Sequence, residues 1–289
     1  MMNLEALEHE LKETLGSDFR ILQNQALSGG DINEVHRLET SEGGLVIKLN
    51  SKDRFPGMFE AEADGLNELR KSQFRIPEMI AFGTSGNNAY LLMEYIDLGK
   101  PGTDFWNSFG HKLAAMHRLQ AENYGLEKSN YIGSLPQSNG QHESWITFYL
   151  EERILPQLRK ALDQGDLNKE HLKIYETFAQ RVSGIFPVEA PSLLHGDLWS
   201  GNYLVDATGE AVLIDPAVYY GHREMDLGMT LLFGGFPTRL YEAYHESYPL
   251  EQGWRERVSL TQLYPLLVHL NLFGASYRSS VLRILEQYA

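Results

Sequence analysis

The sequence predicts an α+β fold of two lobes, a five-stranded antiparallel sheet over residues 1–96 followed by a mainly helical body over residues 97–289. Three observations carry that expectation. Short β-type runs, punctuated by paired glycines, crowd into the first ninety-odd residues. The segment Asp97-Leu98-Gly99-Lys100-Pro101-Gly102 then interrupts every periodic pattern, as a hinge between two bodies does. Beyond it the apolar residues recur mostly at helical spacing. A chain of 289 residues is long enough for two such bodies.

Leu4, Leu7, Leu11 and Leu15 recur at helical spacing among acidic residues and predict an amphipathic opening helix, with Gly16 as its C-cap. Residues 19–25, 34–39 and 45–49 read as strands separated by Gly29-Gly30 and Gly43-Gly44. Residues 58–70 fit one inserted helix, with Phe59, Leu66 and Leu69 on a single face. Strands follow at 79–82 and 89–94, joined by a hairpin connection over 83–88. Past the hinge, residues 105–119, 145–162 and 171–186 read as helices, the second with Pro156 inside it. A β-like island, 203–205 and 211–214, turns at Asp206-Ala207-Thr208-Gly209, and helix continues to the C-terminus. Residues 133–142 are rich in Ser, Asn and Gln and predict a polar loop ordered against a neighbouring surface.

Acidic residues outnumber basic ones by 39 to 25, a net charge of −14. Such a chain has no surplus of cations for nucleic acid or an anionic membrane, although a few local cations can still hold an anionic ligand. Cysteine is absent, which excludes disulfides, thiol catalysis and Cys-ligated metals. The start lacks a basic n-region and an apolar h-region, and the most apolar stretch, 260–277, is broken by Gln262, Pro265, His269 and Asn271. These features predict a cytoplasmic protein with no nucleic-acid or membrane partner, a monomer or weak dimer.

The strongest local signal is His195-Gly196-Asp197-Leu198-Trp199-Ser200-Gly201-Asn202, followed by Ile214-Asp215-Pro216. Phosphoryl transfer from ATP needs a carboxylate to aim an acceptor hydroxyl and take its proton, and magnesium to bridge the phosphates. In the kinase template an Asp and an Asn five positions later do these jobs, with a second Asp on the next hairpin as the main metal ligand. Asp197, Asn202 and Asp215 reproduce that order, and oxygen ligands of this kind suit a hard cation. Magnesium nearby would keep Asp197 ionised at neutral pH. An Asp at a strand end is by itself usually a turn or a cap. The ordered set is what is specific.

The N-terminal half supplies the remaining parts in sequence. Gly29 and Gly30 can lay backbone N–H groups over phosphates, although two glycines alone are an ordinary turn. Val46-Ile47-Lys48 matches the strand-end lysine that grips the α- and β-phosphates. Its carboxylate partner falls in Phe59-Glu60-Ala61-Glu62, with Glu62 favoured and Glu60 the alternative. At the lobe junction the C=O of Glu94 and the N–H of Ile96 can pair with adenine, and Met93 can line the back of its pocket. No G-x-x-x-x-G-K-[ST], G-x-G-x-x-G or H-E-x-x-H occurs. His117 reads as a satisfied core residue, and His195 as a brace for the catalytic loop rather than a proton carrier.

With these residues in view, the chain resembles the protein-kinase-like superfamily of small-molecule kinases, and within it the fructosamine kinase family. His195-Gly196-Asp197 is shared with aminoglycoside phosphotransferases and choline kinases. The fuller run to Asn202 is closer to fructosamine kinases, as is Asp215-Pro216-Ala217 running into Tyr219-Tyr220-Gly221-His222-Arg223-Glu224-Met225-Asp226-Leu227. Asn130-Tyr131-Ile132-Gly133, Pro136-Gln137-Ser138-Asn139, Trp145, Phe148, Arg153 and Leu272-Phe273-Gly274 also look like blocks of that family. The resemblance implies a bilobal protein-kinase-like fold with ATP and magnesium in the cleft. It also implies phosphorylation of the 3-hydroxyl of a small-molecule or protein-bound ketosamine (a ribulosamine, erythrulosamine or fructosamine), after which the adduct falls off the amine.

Two departures matter. Some members carry a cysteine in the Gly-rich loop that links two chains, which Ser28-Gly29-Gly30-Asp31 cannot do, and no A-P-E segment follows Asp215. Trp199, Tyr219, His222 and Glu224 flank the proposed base and metal ligand and are candidates for contact with the acceptor. The alternative is that Trp199 packs the catalytic loop and Glu224 caps a helix. Asp226 is expected to bind the catalytic-loop backbone. Rival readings are a kinase of another small hydroxyl compound, aminoglycoside- or choline-like, and a catalytically inactive nucleotide-binding scaffold.

Overall fold

The computed structural model of the chain describes residues 4–27 and 32–289. Gly29 and Gly30 lie outside the described residues. Helix α1 (Leu4–Leu15) ends where the N–H of Gly16 meets the Lys12 carbonyl at 3.0 Å, with Gly16 in the left-handed region at φ 110°. Strands β1 (Ile21–Leu27), β2 (Glu34–Thr40), β3 (Gly43–Ser51), β4 (Met79–Ser85) and β5 (Asn88–Glu94) form one antiparallel sheet in the order β1-β2-β3-β5-β4. The hairpin between β4 and β5 is tighter than its sequence suggests. Only Gly86 and Asn87 form the turn, and Gly86 takes positive φ.

Alternation along the strands decides what faces the site. Ile47 and Leu49 of β3 pack with Leu7 and Leu11 of α1, together with Tyr90 and Leu92 of β5. Lys48 between them therefore points to the other face, as does its cross-strand partner Leu91. That face is covered by α2 (Met58–Leu69), whose Phe59, Leu66 and Leu69 are buried against it.

The rest is mainly helical: α3 (Phe105–His117), α4 (Trp145–Phe148), a π-helical turn (Tyr149–Ile154), α5 (Leu155–Asp163), α6 (Lys169–Arg181), α7 (Glu224–Thr230), α8 (Thr238–Ser247), α9 (Trp254–Phe273) and α10 (Arg278–Tyr288). The helix predicted over 145–162 thus passes through a π turn just before Pro156. Proline has no N–H for the Glu152 carbonyl four residues back, and the Arg153 guanidinium meets that carbonyl instead, at 3.2 Å. Three two-stranded ribbons complete the fold: β6 (Asn130–Ile132) with β7 (Leu135–Gln137), β8 (Ser192–Leu194) with β11 (Tyr219–Gly221), and β9 (Tyr203–Val205) with β10 (Ala211–Leu213). Four of these strands, β6, β7, β8 and β11, have no counterpart in the sequence reading, because three residues are too few to show a period of two. Among the described residues no helix is long and apolar enough to cross a membrane.

Candidate active site

Strand β8 delivers the chain to His195, and a buried carboxylate holds the loop that begins there. Asp226 on α7 accepts the N–H of His195 at 2.8 Å and the N–H of Gly196 at 2.9 Å. Burial pushes the Asp226 carboxyl up, but these bonds and the adjacent His117 ring more than offset it and leave it below the ordinary Asp value. His117 is itself buried, bonded to Tyr244 at 2.9 Å and Asp226 at 3.2 Å, so it is a satisfied core residue. The His195 ring accepts the N–H of Asp197 at Nδ1 (3.3 Å) and donates from Nε2 to the Ile214 carbonyl at 3.0 Å. Burial keeps it below its ordinary pKa, and it ties the loop that carries Asp197 to the strand end before Asp215. Gly196 is obligatory here: its φ is 82°, and a Cβ would collide with the Ala217 carbonyl.

Asn202 spends its amide nitrogen on Asp197, bonding the carbonyl at 2.8 Å and the carboxylate at 2.9 Å. Its amide oxygen accepts no hydrogen bond among the described residues. Burial pushes the Asp197 carboxyl up to about 7, against the Asn202 bond, and the charges of Asp215 and Asp226 push the same way. The chain's own groups therefore oppose the ionised state expected beside magnesium. A nearby cation is what would restore it.

Lys48 joins the sheet to this loop. Its ammonium donates to Glu62 at 2.5 Å and also to the Asp215 carboxylate. The partner on α2 is Glu62; Glu60 is exposed and lies 4.0 Å from Lys128. Burial lowers the Lys48 pKa, but the charges of Asp215 and Glu62 overcome it and hold the ammonium above the ordinary lysine range. Asp215 is the one non-glycine residue with positive φ among those described, at 55°. Such a conformation is uncommon outside glycine, although Asp bears it better than most residues, and it persists where the surroundings hold it.

These groups line one cleft of about 480 Å³, which includes Lys48, Glu62, Asp197, Trp199, Asn202 and Asp215. The Asp215 carboxylate and the free amide oxygen of Asn202 are a donor set suited to magnesium, with phosphate oxygens needed to complete the shell. Met93, Glu94 and Ile96 are not part of that lining. Met93 and Ile96 are buried, the N–H of Ile96 has no partner among the described residues, and the Glu94 side chain is held by Arg75.

Of the four residues expected to meet the acceptor, only Trp199 lines the cleft; it is 38% exposed and lies edge-on to Phe233 at 6.3 Å. The other three are corrected by their burial. Glu224 forms a buried two-pronged pair with Arg257 on α9, at 2.9 and 2.5 Å. His222 is buried against Phe186 and Trp145, and burial takes it down to about 4. Tyr219 stacks on Phe148 and under the Arg153 guanidinium, touching the site only through a void of about 20 Å³ that it shares with Asp197. Conversely, Phe233, His269 and Tyr277 line the cleft beside Trp199, and no local motif singles them out.

A family model described as fructosamine kinase matches residues 3–289. A probable ketoamine kinase of Enterococcus faecium is 41% identical over 262 residues, 90% of this chain and 93% of its own. The protein-ribulosamine 3-kinase of Arabidopsis thaliana chloroplasts is 38% identical over 95% of this chain and 85% of its own. A crystal structure assigned to a fructosamine-3-kinase of Thermobifida fusca superposes with a TM-score of 0.86 at 36% identity, covering 98% of each chain. The aminoglycoside phosphotransferase APH(4)-Ia, in complex with AMP-PNP and hygromycin B, shares the fold alone, with a TM-score of 0.63 at 18% identity over 98% of this chain and 99% of its own.

Proposed function

The chain belongs to the fructosamine kinase family, and from that premise we propose that it transfers the γ-phosphoryl group of ATP to the 3-hydroxyl of a ketosamine, in the service of deglycation. One observation carries this reading: a lysine of the sheet and the Asp197, Asn202 and Asp215 side chains of the helical body line a single cleft.

Lys48, pinned by Glu62, grips the α- and β-phosphates. Asp197 accepts a hydrogen bond from the 3-hydroxyl and aims its oxygen at the γ-phosphorus. As the new O–P bond forms and the bond to the bridging oxygen of ADP breaks, the hydroxyl proton passes to Asp197. Magnesium, held by Asn202 and Asp215, would neutralise charge on the phosphates. Trp199 offers an aromatic face to the sugar at the open side of the cleft. Adenine pairs at Glu94 and Ile96 with Met93 behind it. We divide the chain into lobes at residues 96 and 97 and place it in the cytoplasm, as a monomer or weak dimer.

The test is a panel of ribulose-, erythrulose- and fructose-amines assayed for ATP consumption, with the phosphorylated carbon assigned by NMR. Phosphate at the 3-position of a ketosamine is expected. Phosphate on an aminoglycoside or on choline, and on no ketosamine, would overturn it.

A further inference from the structure

Four buried polar residues form a cluster against the cleft, whose wall Asn130 joins, and none of them hydrogen-bonds Lys48, Asp197, Asn202 or Asp215. Asn130 and Gln137 face each other across the β6–β7 ribbon. Asn130 donates to the Val218 carbonyl at 2.8 Å, and Gln137 donates to the Ala217 carbonyl at 3.1 Å. The two amides also bond each other at 2.8 Å. Asn139 adds a second donor to the Asn130 oxygen at 2.9 Å, and the Tyr264 hydroxyl donates to the Gln137 oxygen at 2.7 Å. Arg153 donates to the Asn139 oxygen at 2.7 Å while its guanidinium lies over the Tyr219 ring at 4.0 Å. Every amide orientation is fixed by at least one partner on each side, so the cluster has a single hydrogen-bonded arrangement.

What it holds is the backbone just past Asp215. A left-handed non-glycine residue persists only where its surroundings over-determine it. On one side of Asp215, the Ile214 N–H bonds the Asn202 carbonyl at 3.1 Å and the Ile214 carbonyl accepts His195. On the other side, the Ala217 N–H bonds the His195 carbonyl at 2.9 Å, and the Ala217 and Val218 carbonyls are taken by the two amides. The catalytic loop clamps Asp215 from the front and the amide pair clamps it from behind.

We infer that Asn130 and Gln137, braced by Asn139 and Arg153, are positioning residues for the reaction, fixing the strained Asp215 backbone through the carbonyls of Ala217 and Val218. The inference rests on Asp215 acting as proposed, so Asp215→Asn is the control. Gln137→Leu keeps the volume and removes both donors. Residues that orient a metal ligand through one bond typically matter 10- to 100-fold. With the folded fraction matched by thermal unfolding, Gln137→Leu is expected to lower kcat on the order of 10- to 100-fold. It should also raise the magnesium concentration for half-maximal rate and weaken Mn²⁺–ADP binding by calorimetry, with KM for the ketosamine within about twofold.

If Gln137→Leu does not fold, Tyr264→Phe removes only the hydroxyl that orients Gln137 and should move the same readouts in the same direction. Folded variants with wild-type kcat and unaltered Mn²⁺–ADP binding, beside an inactive Asp215→Asn, would overturn the inference alone. An active Asp215→Asn would overturn the assignment of Asp215 beneath it.

Discussion

The Asn202 amide donates to the Asp197 carboxylate at 2.9 Å and to the Asp197 carbonyl at 2.8 Å, so the two residues of the catalytic loop hold each other. One end of the Asn202 amide is fixed by this arrangement, which leaves the oxygen for a cation. It also fixes the rotamer of the carboxylate proposed to meet the acceptor.

Asp197→Asn preserves this shape and cannot take a proton. A general base contributes roughly 10²–10⁴-fold, so kcat should fall by that order while the dissociation constant for ATP changes little. Steady-state kinetics with nucleotide binding measured in parallel decides it. Full activity would remove Asp197 from the mechanism.

Asp215→Asn should nearly abolish turnover with the fold intact by circular dichroism. Lys48→Ala should raise KM for ATP, and it has a second consequence. Burial already raises the Glu62 carboxyl, opposed by the Lys48 charge. Without that cation Glu62 is a buried carboxylate whose partner is gone, which costs about 3–5 kcal/mol unless it protonates. Chemical denaturation at neutral and mildly acidic pH should therefore show Lys48→Ala destabilised, with part of the loss recovered on acidification.

Trp199 and Glu224 should separate cleanly. Trp199→Ala should raise KM for the ketosamine far more than KM for ATP. Glu224→Ala leaves Arg257 buried without its partner and should cost about 3–5 kcal/mol in denaturant unfolding, while the folded enzyme keeps its KM for the ketosamine. An increase in that KM on Glu224→Ala would put the carboxylate back in the acceptor site.

Asp226 gives a pH signature. Its folded pKa lies below the ordinary value, so its stabilisation is fully present above about pH 4 and is lost as the pH falls further. The wild type should lose stability steeply over that acidic range in denaturant titrations. Asp226→Asn should be less stable at neutral pH and should show a shallower acid dependence. Equal slopes in the two proteins would mean that Asp226 does not carry the coupling.

Local chemistry made much of this protein legible. The leucines of α1 repeat at helical spacing, and the sheet strands carry their own turns, so periodicity finds them without tertiary information. Asp197 and Asn202 are five positions apart on one loop, and Asp215 ends the next hairpin; the spacing itself brings them together. Strands β6, β7, β8 and β11 are too short to carry a period, whereas β9 and β10, equally short, are marked by the turn at 206–209 between them.

What only the tertiary structure decided is which partner each side chain meets. Glu60 and Glu62 are two positions apart on a helix, so they point to different faces, and the packing of α2 against the sheet selects Glu62 for Lys48. Glu224 sits among family-like residues close to Asp215, yet Arg257, 33 residues further on, takes both of its oxygens. Asn130 and Gln137 reach carbonyls far along the chain, at separations of 88 and 80 residues. A side chain's type and spacing reveal what chemistry it can do. Its burial and its charge partners come from distant segments, and they determine whether that chemistry is spent on the substrate or on the fold.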